Sequence, residues 1–396
     1  MTAHTEVVVV GGGYAGVMAA NRLTQRDDVT VTLVNPRPVF AERVRLHQLA
    51  AGHHDATVDL RTVLADRVRL VVDSASRIDA PGRTVTLASG GELAYDYLVY
   101  TPGSHGTAPT VPGADAFAHP AATLEEARRL RAALATLPAD APVTVVGGGT
   151  TGVEYSAELA AAGHSVTLVG GGVLGPYLHP RGRRSVTRQL TRLGVTVLDG
   201  ARVTAVAREA VQLDDGRRLP SDVTVWTAGF AVPDLAARSG LRTDALGRLR
   251  TDETLTCVDD PRIVAAGDAA SPSHAPFRMS CQAALPLGAH AADTVLARLA
   301  GRRCAPLTVG LVGQCVGVGP HTATMQFASR DDTANGLVLS GRPAAWFKEF
   351  TVRSTLRQLV REARRPGAFR WRLRDRGRPR AVAARRAAPA TPAETA

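Results

Sequence analysis

The sequence predicts an α/β fold built around two parallel sheets, because one strand–glycine–helix pattern occurs twice in the chain. In the first copy, the apolar run Val7 to Val10 leads into the glycines of GGGYAG and then into a helix that covers Val17. In the second copy, Val143 to Val146 leads into GGGTTG and a helix at 153–162. A short, unbroken apolar run is typical of a strand buried on both faces of a parallel sheet. Two copies therefore predict two Rossmann-like dinucleotide-binding domains.

The glycines of both motifs follow the spacing G-x-G-x-x-G, and each has its own physical role. The first permits a tight turn, the second lets a pyrophosphate approach bare backbone, and the third allows close helix–strand packing. The phosphates then lie at the helix N-terminus, where free N–H groups and the helix dipole favour an anion. A glycine turn without a ligand is the alternative for one such motif, and the repeat argues against it. The predicted set comprises Gly11, Gly13 and Gly16 in the first motif and Gly147, Gly149 and Gly152 in the second.

The composition favours a globular protein of two or three domains. The chain has 396 residues, of which 45% are hydrophobic and 21% charged, and no apolar run approaches the roughly 18 residues of a membrane span. The first apolar run is short and lacks a basic leader, so we expect no signal peptide and a cytoplasmic location. The cysteines form no C-x-x-C pair, which argues against a redox-active disulfide, a zinc site or an iron–sulfur cluster. We therefore predict no metal site.

The net charge of +11 is confined to the C-terminal part of the chain. Residues 342–396 contain 15 basic and 4 acidic residues, whereas the charges of residues 1–341 balance. Lys348 is the only lysine, so nearly all of the positive charge is arginine. Because the body of the chain carries no basic excess, we predict no nucleic-acid partner.

Further elements follow in the order that two such domains require. We predict strands at residues 29–34, 95–100, 166–169, 203–207, 211–213, 223–226 and 263–266, a strand pair formed by 68–72 and 84–87, and helices at 124–137 and 280–299. In each unit, the strand after the glycine helix ends where a carboxylate usually binds the ribose hydroxyls.

The residues at the ends of those two strands bear on the nucleotide preference. The first strand ends at Asn35, whose amide forms weaker hydrogen bonds than a carboxylate. The second ends at Gly170, and Arg181, Arg183 and Arg184 follow soon after. Loss of the carboxylate together with a gain of arginines is the pattern of a 2′-phosphate site, and hence of NADPH. Because arginine is common throughout the chain, the choice between NADH and NADPH stays open.

Two later turns contribute candidate residues to the first site. Gly267 and Asp268 end a buried strand, so that Asp268 is placed to bind a ribityl hydroxyl, with a simple strand-ending turn as the alternative. The strand at 95–100 ends in a turn that contains Thr101 and Gly103. Arg43 follows the Asn35 strand and faces either cofactor phosphates or solvent.

Taken in order, GGGYAG, YLVYTPGS, GGGTTGVEYSAEL, WTAGF and IVAAGDAA resemble the motifs of the two-dinucleotide-fold flavoprotein reductases. The nearest likeness is to type II NADH dehydrogenases and to oxidoreductases similar to apoptosis-inducing factor. The segment HQLAAG at 47–52 resembles a quinone-side segment of the type II dehydrogenases. The resemblance implies an FAD-dependent enzyme in which NADH or NADPH passes a hydride to flavin N5 and the electrons go on to a small-molecule acceptor. A quinone is the acceptor that we expect.

The resemblance also implies a split layout. An FAD domain is expected from residues 1–110 and 245–300, interrupted by an NAD(P)H domain at 111–244. A C-terminal β-rich region at 301–341 and a basic amphipathic helix with a disordered tail at 342–396 are expected to follow.

Two residues receive roles near the reacting groups from the resemblance. Glu154 matches a glutamate near the nicotinamide, with a helix-N-terminal acid stabilised by the dipole as the alternative. Gln282 matches the first glutamine of an A-Q-x-A-x-Q pattern beside flavin and quinone, whereas the second falls on Pro286. The expected FAD site comprises Gly11, Gly13, Tyr14, Ala15, Gly16, Asn35, Arg43, Thr101, Gly103, Gly267, Asp268 and Gln282. The expected NAD(P)H site comprises Gly147, Gly149, Thr150, Thr151, Gly152, Glu154, Arg183, Arg184, Ala228 and Gly229.

The C-terminal region leaves several alternatives open. Residues 352–365 have helical spacing, with an apolar stripe beside an arginine stripe. We expect either peripheral, salt-sensitive binding to an anionic membrane on the inner face of the cell membrane, or a helix docked on the body and a disordered end after Arg378. A tail that does not bind membranes would favour a soluble reductase of an electron-transfer protein or a specialised metabolite, and an NAD(P)H-sensing flavoprotein is a third reading. The sequence also leaves open whether the chain forms a homodimer.

Overall fold

The structure is a computed structural model that describes residues 4–138 and 140–387. The helices are α1 (Tyr14–Leu23), α2 (Leu46–Ala50), α3 (Leu60–Val63), α4 (Ala114–Phe117), α5 (Leu124–Leu134), α6 (Thr150–Ala161), α7 (Pro180–Arg192), α8 (Leu235–Arg238), α9 (Cys281–Leu299), α10 (Arg342–Arg364) and α11 (Arg378–Ala387). The strands of the first half are β1 (Thr5–Val10), β2 (Val29–Asn35), β3 (Val39–Ala41), β4 (Thr57–Asp59), β5 (Val68–Val72), β6 (Ala75–Asp79), β7 (Thr84–Leu87), β8 (Glu92–Ala94), β9 (Tyr97–Tyr100), β10 (His105–Gly106), β11 (Ala118–Pro120), β12 (Pro142–Val146), β13 (Ser165–Val169) and β14 (Thr196–Leu198). The remaining strands are β15 (Val203–Ala207), β16 (Ala210–Leu213), β17 (Arg218–Pro220), β18 (Val223–Trp226), β19 (Phe230–Ala231), β20 (Leu249–Thr251), β21 (Ile263–Ala265), β22 (Ala270–Pro272), β23 (Gly313–Gly317), β24 (Ala323–Ala328) and β25 (Ala334–Gly341).

Two parallel five-stranded sheets organise the molecule, which confirms the predicted α/β fold. The first has the order β21-β9-β1-β2-β5 and the second the order β11-β18-β12-β13-β14. In each sheet the strand before a glycine motif is central, and its valines are buried on both faces. The first sheet takes its edge strand β21 from a segment that follows the whole second sheet in the chain. The carboxyl ends of both central strands carry the glycine turns, as ligand binding in open α/β sheets requires.

The predicted pairing of residues 68–72 with 84–87 is wrong. β5 extends the first parallel sheet by pairing with β2, whereas β7 lies in a separate antiparallel sheet between β6 and β8. The short strand Ala75–Asp79 lies between the two and supplies the hairpin partner of β7. Its mixed sequence gives little strand signal, so the sequence pattern missed it.

Helices α1 and α9 pack so closely that their backbones meet. A Cβ added to Gly288 of α9 would lie 2.8 Å from the Cα of Ala15. Ala15 itself is buried, and so are most residues on the facing sides of both helices. This contact fixes the N-terminus of α9, and with it Gln282, beside the first glycine turn.

An antiparallel sheet of β23, β24 and β25 lies between α7 and α10. On one face, Thr324 Oγ1 accepts a hydrogen bond from Gln189 Nε2 of α7 at 2.7 Å. On the other face, Met325 packs in an apolar cluster with Ala344 of α10. Sequence analysis did not predict α7, because Arg181, Arg183 and Arg184, three of its five arginines, were read as a 2′-phosphate pattern rather than as residues of a helix.

Helix α10 docks on the body of the protein. Its apolar stripe faces inward, with Leu359 buried in the core that contains α1. The Glu362 carboxylate is also buried, and it accepts hydrogen bonds from Arg22 Nη1 at 3.0 Å and from the backbone N–H groups of Gly367 and Phe369. Among the described residues, no helix is long and apolar enough to cross a membrane.

The prediction of disorder after Arg378 is wrong for the described residues, because α11 begins there. Arg378 is buried and forms a two-pronged ion pair with Glu253 at 2.8 and 3.1 Å. Its guanidinium also stacks over Phe277 at 4.3 Å from the ring centre. Alanine and arginine favour a helix, and these contacts anchor that helix to the body of the protein, which sequence alone does not reveal. The last part of the predicted tail, residues 388–396, lies outside the described residues.

Candidate functional site

Gly13 and Gly149 precede the helices of the two glycine motifs, and both leave open space in front of their backbone. Neither helix start is capped by a side chain. A Cβ at either position would meet no atom within 4 Å. The free N–H groups of the first turn, which includes Tyr14 and Ala15 in one helix and Thr150 and Thr151 in the other, are therefore accessible to an anion. The structure thus provides two cradles that fit the pyrophosphate of a dinucleotide.

The outer glycines of each motif are required by the fold itself. Gly11 and Gly147 adopt φ angles of +100° and +124°, which favour glycine. A side chain at Gly16 would collide with the carbonyl of Gly11, and Gly152 has the same relation to Gly147. Only the middle glycine of each motif therefore faces the space where a ligand would bind.

A threonine fastens each glycine turn to the neighbouring strand. Thr101 Oγ1 donates a hydrogen bond to the carbonyl of Val10 at 2.9 Å, and Thr227 Oγ1 donates to the carbonyl of Val146 at 2.9 Å. Thr101 is buried, so its hydroxyl positions the turn rather than facing open space. The repeat of this contact shows that the two units share their local architecture as well as their glycines.

The residues after each threonine form the walls of the two sites. Gly103 has a φ of +76° and open space beyond it. In the second unit, Ala228 and Gly229 line a narrow cavity together with Thr151. The carbonyl of Ala228 accepts a hydrogen bond from Trp226 Nε1 at 3.1 Å, which holds this wall in place.

Arg43, Ser104 and Asp268 form a chain of contacts beside the first glycine turn. Arg43 Nη1 donates to Ser104 Oγ at 2.9 Å, and Ser104 Oγ donates to Asp268 Oδ2 at 2.7 Å. Arg43 also lies 3.6 Å from Asp268. Gly267, at a φ of +75°, places this aspartate next to α1, since a Cβ at Gly267 would lie 3.1 Å from the Ala15 Cβ. The three predicted residues Arg43, Gly267 and Asp268 thus lie together.

Three further predicted residues surround the same turn. Asn35 Oδ1 accepts a hydrogen bond from the Gly12 N–H at 2.9 Å, so its amide lies directly over the motif. Tyr14 packs edge-on against Phe40 at 5.0 Å, and burial, with smaller effects of Cys281 and Glu42, raises the pKa of its phenol well above the usual value. Gln282 Oε1 accepts from the Val312 N–H at 3.2 Å, which joins the start of α9 to the C-terminal sheet.

Glu154 lies at the meeting point of four parts of the chain. Its Oε1 accepts a hydrogen bond from Lys348 Nζ of α10 at 2.5 Å and from the Gly317 N–H of β23 at 3.0 Å. Its Oε2 lies 3.7 Å from Nδ1 of His47, which belongs to α2. The Glu154 and Lys348 side chains are only 17% and 16% exposed. We call Glu154, Lys348, His47 and the Gly317 N–H the junction cluster.

Electrostatics fix the charge states in the junction cluster. Burial would raise the pKa of Glu154, but the charge of Lys348 and the contacts with His47 and Gly317 outweigh it and hold that pKa below its usual value. Burial lowers the pKa of His47 to about 3, against the opposing influence of Glu154. At neutral pH the cluster therefore contains a carboxylate and a neutral imidazole. Burial also raises the pKa of the adjacent Cys315 to about 12, which keeps it a thiol.

Sequence reasoning missed the part played by Lys348, the approach of His47 to Glu154 and a second ion pair that joins the same elements. Arg45 Nη2 donates to Glu349 Oε1 at 2.8 Å, one residue along α10 from Lys348. The only available signal was composition, because Lys348 is the one lysine in an arginine-rich chain. No spacing rule connects it to Glu154, since 194 residues separate the two.

An acid that the sequence analysis did not predict, Asp199 after β14, lies beside the end of β13. A Cβ at Gly170 would lie 3.6 Å from Asp199 Oδ1. Arg183 and Arg184 lie inside α7, half-buried and exposed respectively. The preceding Arg181 points towards β25, where its Nη1 donates to the carbonyl of Gly336 at 3.4 Å.

The described residues contain neither a disulfide bond nor a metal-binding group. All four cysteines, Cys257, Cys281, Cys304 and Cys315, are unpaired. Within residues 4–138 and 140–387, no group of three or more His, Cys, Asp or Glu side chains is arranged to hold a metal ion.

Comparisons with known proteins agree with this geometry. The sequence profile of the pyridine nucleotide-disulphide oxidoreductases matches residues 5–292. The chain is 33% identical over 323 residues to an NADH dehydrogenase-like protein of Mycobacterium tuberculosis, covering 74% of this chain and 80% of that protein. It is 28% identical over 345 residues to a type II NADH:quinone oxidoreductase of the same organism, covering 74% and 73%. The fold is similar to that of NDH2 from Plasmodium falciparum, with a TM-score of 0.76 at 16% identity, covering 92% of this chain and 99% of that one. The chain therefore belongs to the pyridine nucleotide-disulphide oxidoreductase family, and it is an NAD(P)H oxidoreductase that works with a flavin and a nicotinamide cofactor.

Proposed function

We propose that the protein is an FAD-dependent NAD(P)H:quinone oxidoreductase. FAD binds at the first glycine motif and NAD(P)H at the second. The FAD domain comprises residues 1–110 and 245–300, and the NAD(P)H domain comprises 111–244. The observation that carries this proposal is the junction cluster, where the helix of the second glycine motif meets the first unit, the C-terminal sheet and α10.

Each of the two cradles binds one of the two cofactors. Gly13 admits the FAD pyrophosphate, Asn35 lies beside it, and Asp268 binds the ribityl chain while Arg43 and Ser104 hold the carboxylate in place. Gly149 admits the NAD(P)H pyrophosphate, and Ala228 and Gly229 border the nicotinamide. Glu154 follows Gly149 by five residues, so the nicotinamide end of the cofactor lies near the junction cluster. Positioning of this kind is the main source of catalysis in hydride transfer.

FAD, when bound, supplies the two-electron chemistry that links NAD(P)H to the acceptor. Reduction of a quinone to a quinol also consumes two protons, of which the hydride accounts for one. The second has to enter from solvent. Lys348 Nζ donates a hydrogen bond to Glu154 Oε1 at 2.5 Å, whereas His47 stays neutral because burial lowers its pKa to about 3.

Support for a quinone acceptor comes from the relatives and from the HQLAAG segment. The 28%-identical relative in Mycobacterium tuberculosis is a type II NADH:quinone oxidoreductase. In the structure, this segment contributes His47 to the junction cluster. The thiols nearest the site, Cys281 and Cys315, have pKa values raised by burial to about 11 and about 12, which disfavours a thiolate mechanism.

Rapid-mixing kinetics test the proposal. The flavin absorbance of the purified protein should bleach on mixing with NADH or NADPH. A short-chain menaquinone or ubiquinone should restore it within the turnover time. Reoxidation by a [2Fe–2S] ferredoxin but by neither quinone would replace the proposal with a reductase of electron-transfer proteins. A reduced complex that persists with every acceptor would instead favour the sensor reading.

Peripheral membrane association is part of the proposal. At the start of α10, the exposed face of the helix carries Trp346 and Phe350, whose rings stack with their centres 5.7 Å apart. The arginine stripe, defined here as Arg353, Arg357, Arg361 and Arg364, continues that face. Aromatic and arginine side chains suit the interface of an anionic membrane. Membrane binding through this face would leave the docked side of α10 in contact with the body of the protein.

A further inference from the structure

We propose that Asp199 supplies the ribose-binding carboxylate that the end of β13 lacks, and that it makes the enzyme prefer NADH to NADPH. The inference rests on the proposed placement of NAD(P)H at the second glycine motif. In a Rossmann unit this carboxylate normally belongs to the residue at the end of the strand after the glycine helix. Here that residue is Gly170, and the acid comes from the neighbouring strand.

The register of the sheet places Asp199 beside Gly170. β13 and β14 pair in parallel with Val169 opposite Leu198, so the next residues of the two strands are adjacent at the carboxyl edge. The Gly170 N–H donates to the carbonyl of Leu198 at 3.0 Å. The Gly148 N–H of the glycine motif donates to the carbonyl of Gly170 at 3.1 Å. Gly148, Gly170 and Asp199 thus form a continuous edge.

The Asp199 carboxylate points across this edge. Its Oδ1 accepts a hydrogen bond from the Leu174 N–H at 2.9 Å, on the far side of Gly170. A Cβ at Gly170 would lie 3.6 Å from that same oxygen. The Asp199 side chain is exposed, and within the described part of the chain no hydrogen bond engages its Oδ2. One oxygen therefore holds the loop and the other is free for a ligand hydroxyl.

The first unit explains why this arrangement arises only in the second. In the first unit the register places Val72 of β5 opposite Asn35, so an apolar residue occupies the position that Asp199 has beside Gly170. The next residue along the chain is Asp73. Its oxygens accept from the N–H groups of Ser74 at 2.6 Å and Ser89 at 3.4 Å, away from the glycine motif. There the Asn35 side chain already covers the edge by binding the Gly12 N–H. In the second unit Gly170 has no side chain, and the side chain of Asp199 lies across the edge that it leaves uncovered.

The proposed contact predicts the nucleotide preference. A carboxylate accepts hydrogen bonds from the adenosine ribose hydroxyls of NADH, and it repels the 2′-phosphate of NADPH. A charged hydrogen bond of this kind changes affinity by roughly tenfold or more. The wild-type enzyme should therefore have a KM for NADH at least about tenfold below its KM for NADPH.

Two variants of Asp199, measured with NADH, NADPH and NADH that lacks the adenosine 2′-hydroxyl, isolate the contact between Asp199 and the ribose. Asp199→Ala should raise the KM for NADH by about tenfold, and it should leave unchanged the KM for NADH that lacks the adenosine 2′-hydroxyl. Asp199→Asn keeps an oxygen for the Leu174 N–H but removes the charge, so it should lower the KM for NADPH relative to that for NADH. The matched control is Asp222→Asn, because Asp222 lies at the opposite, amino-terminal end of the same sheet. It should leave all three KM values unchanged.

Each contrary result has a separate meaning. Equal effects of Asp199→Ala on NADH and its 2′-deoxy analogue would reduce Asp199 to a loop-holding residue and overturn the inference. A wild-type preference for NADPH would overturn it as well, in favour of Arg183 and Arg184. Gly149→Val distinguishes these failures from that of the proposed function. If Gly149→Val keeps the wild-type KM for NADH, then NAD(P)H binds elsewhere and the proposed placement fails. If Gly149→Val instead loses reduction by NADH while Asp199→Ala changes no KM, only the inference about Asp199 fails.

Discussion

At the scale of single residues, Gly13 and Gly149 are the positions where a substitution should change cofactor binding without changing folding. A side chain at either would project into open space, because no atom lies within 4 Å of the added Cβ. Gly11 and Gly16 do not offer this separation, since a side chain there would collide with backbone. The middle glycines are therefore the informative sites for substitution.

We expect Gly13→Val to give a folded protein with little bound flavin, because the valine occupies the space of the pyrophosphate. Gly149→Val should keep its flavin, and the KM for NAD(P)H should rise by about tenfold or more. Absorbance at the flavin band and circular dichroism measure the two properties. The variants serve as controls for each other. Full flavin content in folded Gly13→Val would show that the flavin lies elsewhere.

Lys348 sets the charge balance of Glu154, and Lys348→Met should reverse the pH dependence of that group. In the wild type the pKa of Glu154 is held low, so its contribution to stability is present above the unfolded pKa and is lost as the pH falls through the folded value. Without Lys348, burial dominates and raises this pKa. The variant should then lose stability as the pH rises above about 4, towards the raised value.

Denaturant unfolding at several pH values measures this effect. At neutral pH, Lys348→Met should cost about 3 kcal/mol, since it leaves a buried carboxylate without its partner. Arg353→Gln is the control, because the exposed pair of Arg353 and Glu349 should contribute below about 1 kcal/mol. A Lys348→Met protein with the pH profile of the wild type would argue against the junction cluster.

At the scale of elements, α10 connects the two glycine units to the C-terminal sheet. Its first half delivers Lys348 to Glu154, and its second half packs on α1 through Leu359. Truncation of the chain before α10 would therefore remove part of the site as well as the basic face. Single substitutions on defined faces of the helix are the cleaner experiment.

Leu359→Ala should destabilise the protein by about 2–5 kcal/mol, because the side chain is fully buried in the core of the first unit. Leu337→Ala is the matched control. Leu337 is 62% exposed on β25, so its substitution should change stability by less than about 0.5 kcal/mol. Thermal or urea unfolding provides the comparison. A neutral Leu359→Ala would mean that α10 is not docked in solution.

At the scale of the whole molecule, the excess positive charge lies in residues 342–396, and the arginine stripe exposes part of it on one face of α10. The triple variant Arg357→Gln, Arg361→Gln, Arg364→Gln should weaken binding to anionic vesicles by roughly 1 kcal/mol per residue at low salt. The same changes at Arg128, Arg129 and Arg131 of α5 should have no effect. Flotation with phosphatidylglycerol vesicles at low and high salt measures both. Equal flotation of all three proteins, or none by the wild type, would remove membrane association from the proposed function.

The sequence by itself determined the two glycine motifs, most of the strands and the class of fold. These features depend on local chemistry: an apolar run forms a buried strand, a middle glycine admits a phosphate, and an ordered set of motifs resembles a known family. The residues placed around the first glycine turn, such as Arg43, Asn35 and Asp268, were identified in this way. Their mutual contacts in the structure agree with that grouping.

Only the tertiary structure decided which distant residues share the site. Lys348 reaches Glu154 across 194 residues of sequence, and Asp199 reaches Gly170 through the register of two parallel strands. The sequence also predicted a wrong strand pair and a disordered end after Arg378, because it does not show that β5 pairs with β2 or that Arg378 meets Glu253. The physical reason is common to all four cases. Burial and ion pairing depend on which surfaces meet, and that is fixed by the packing of elements rather than by the spacing of residues along the chain.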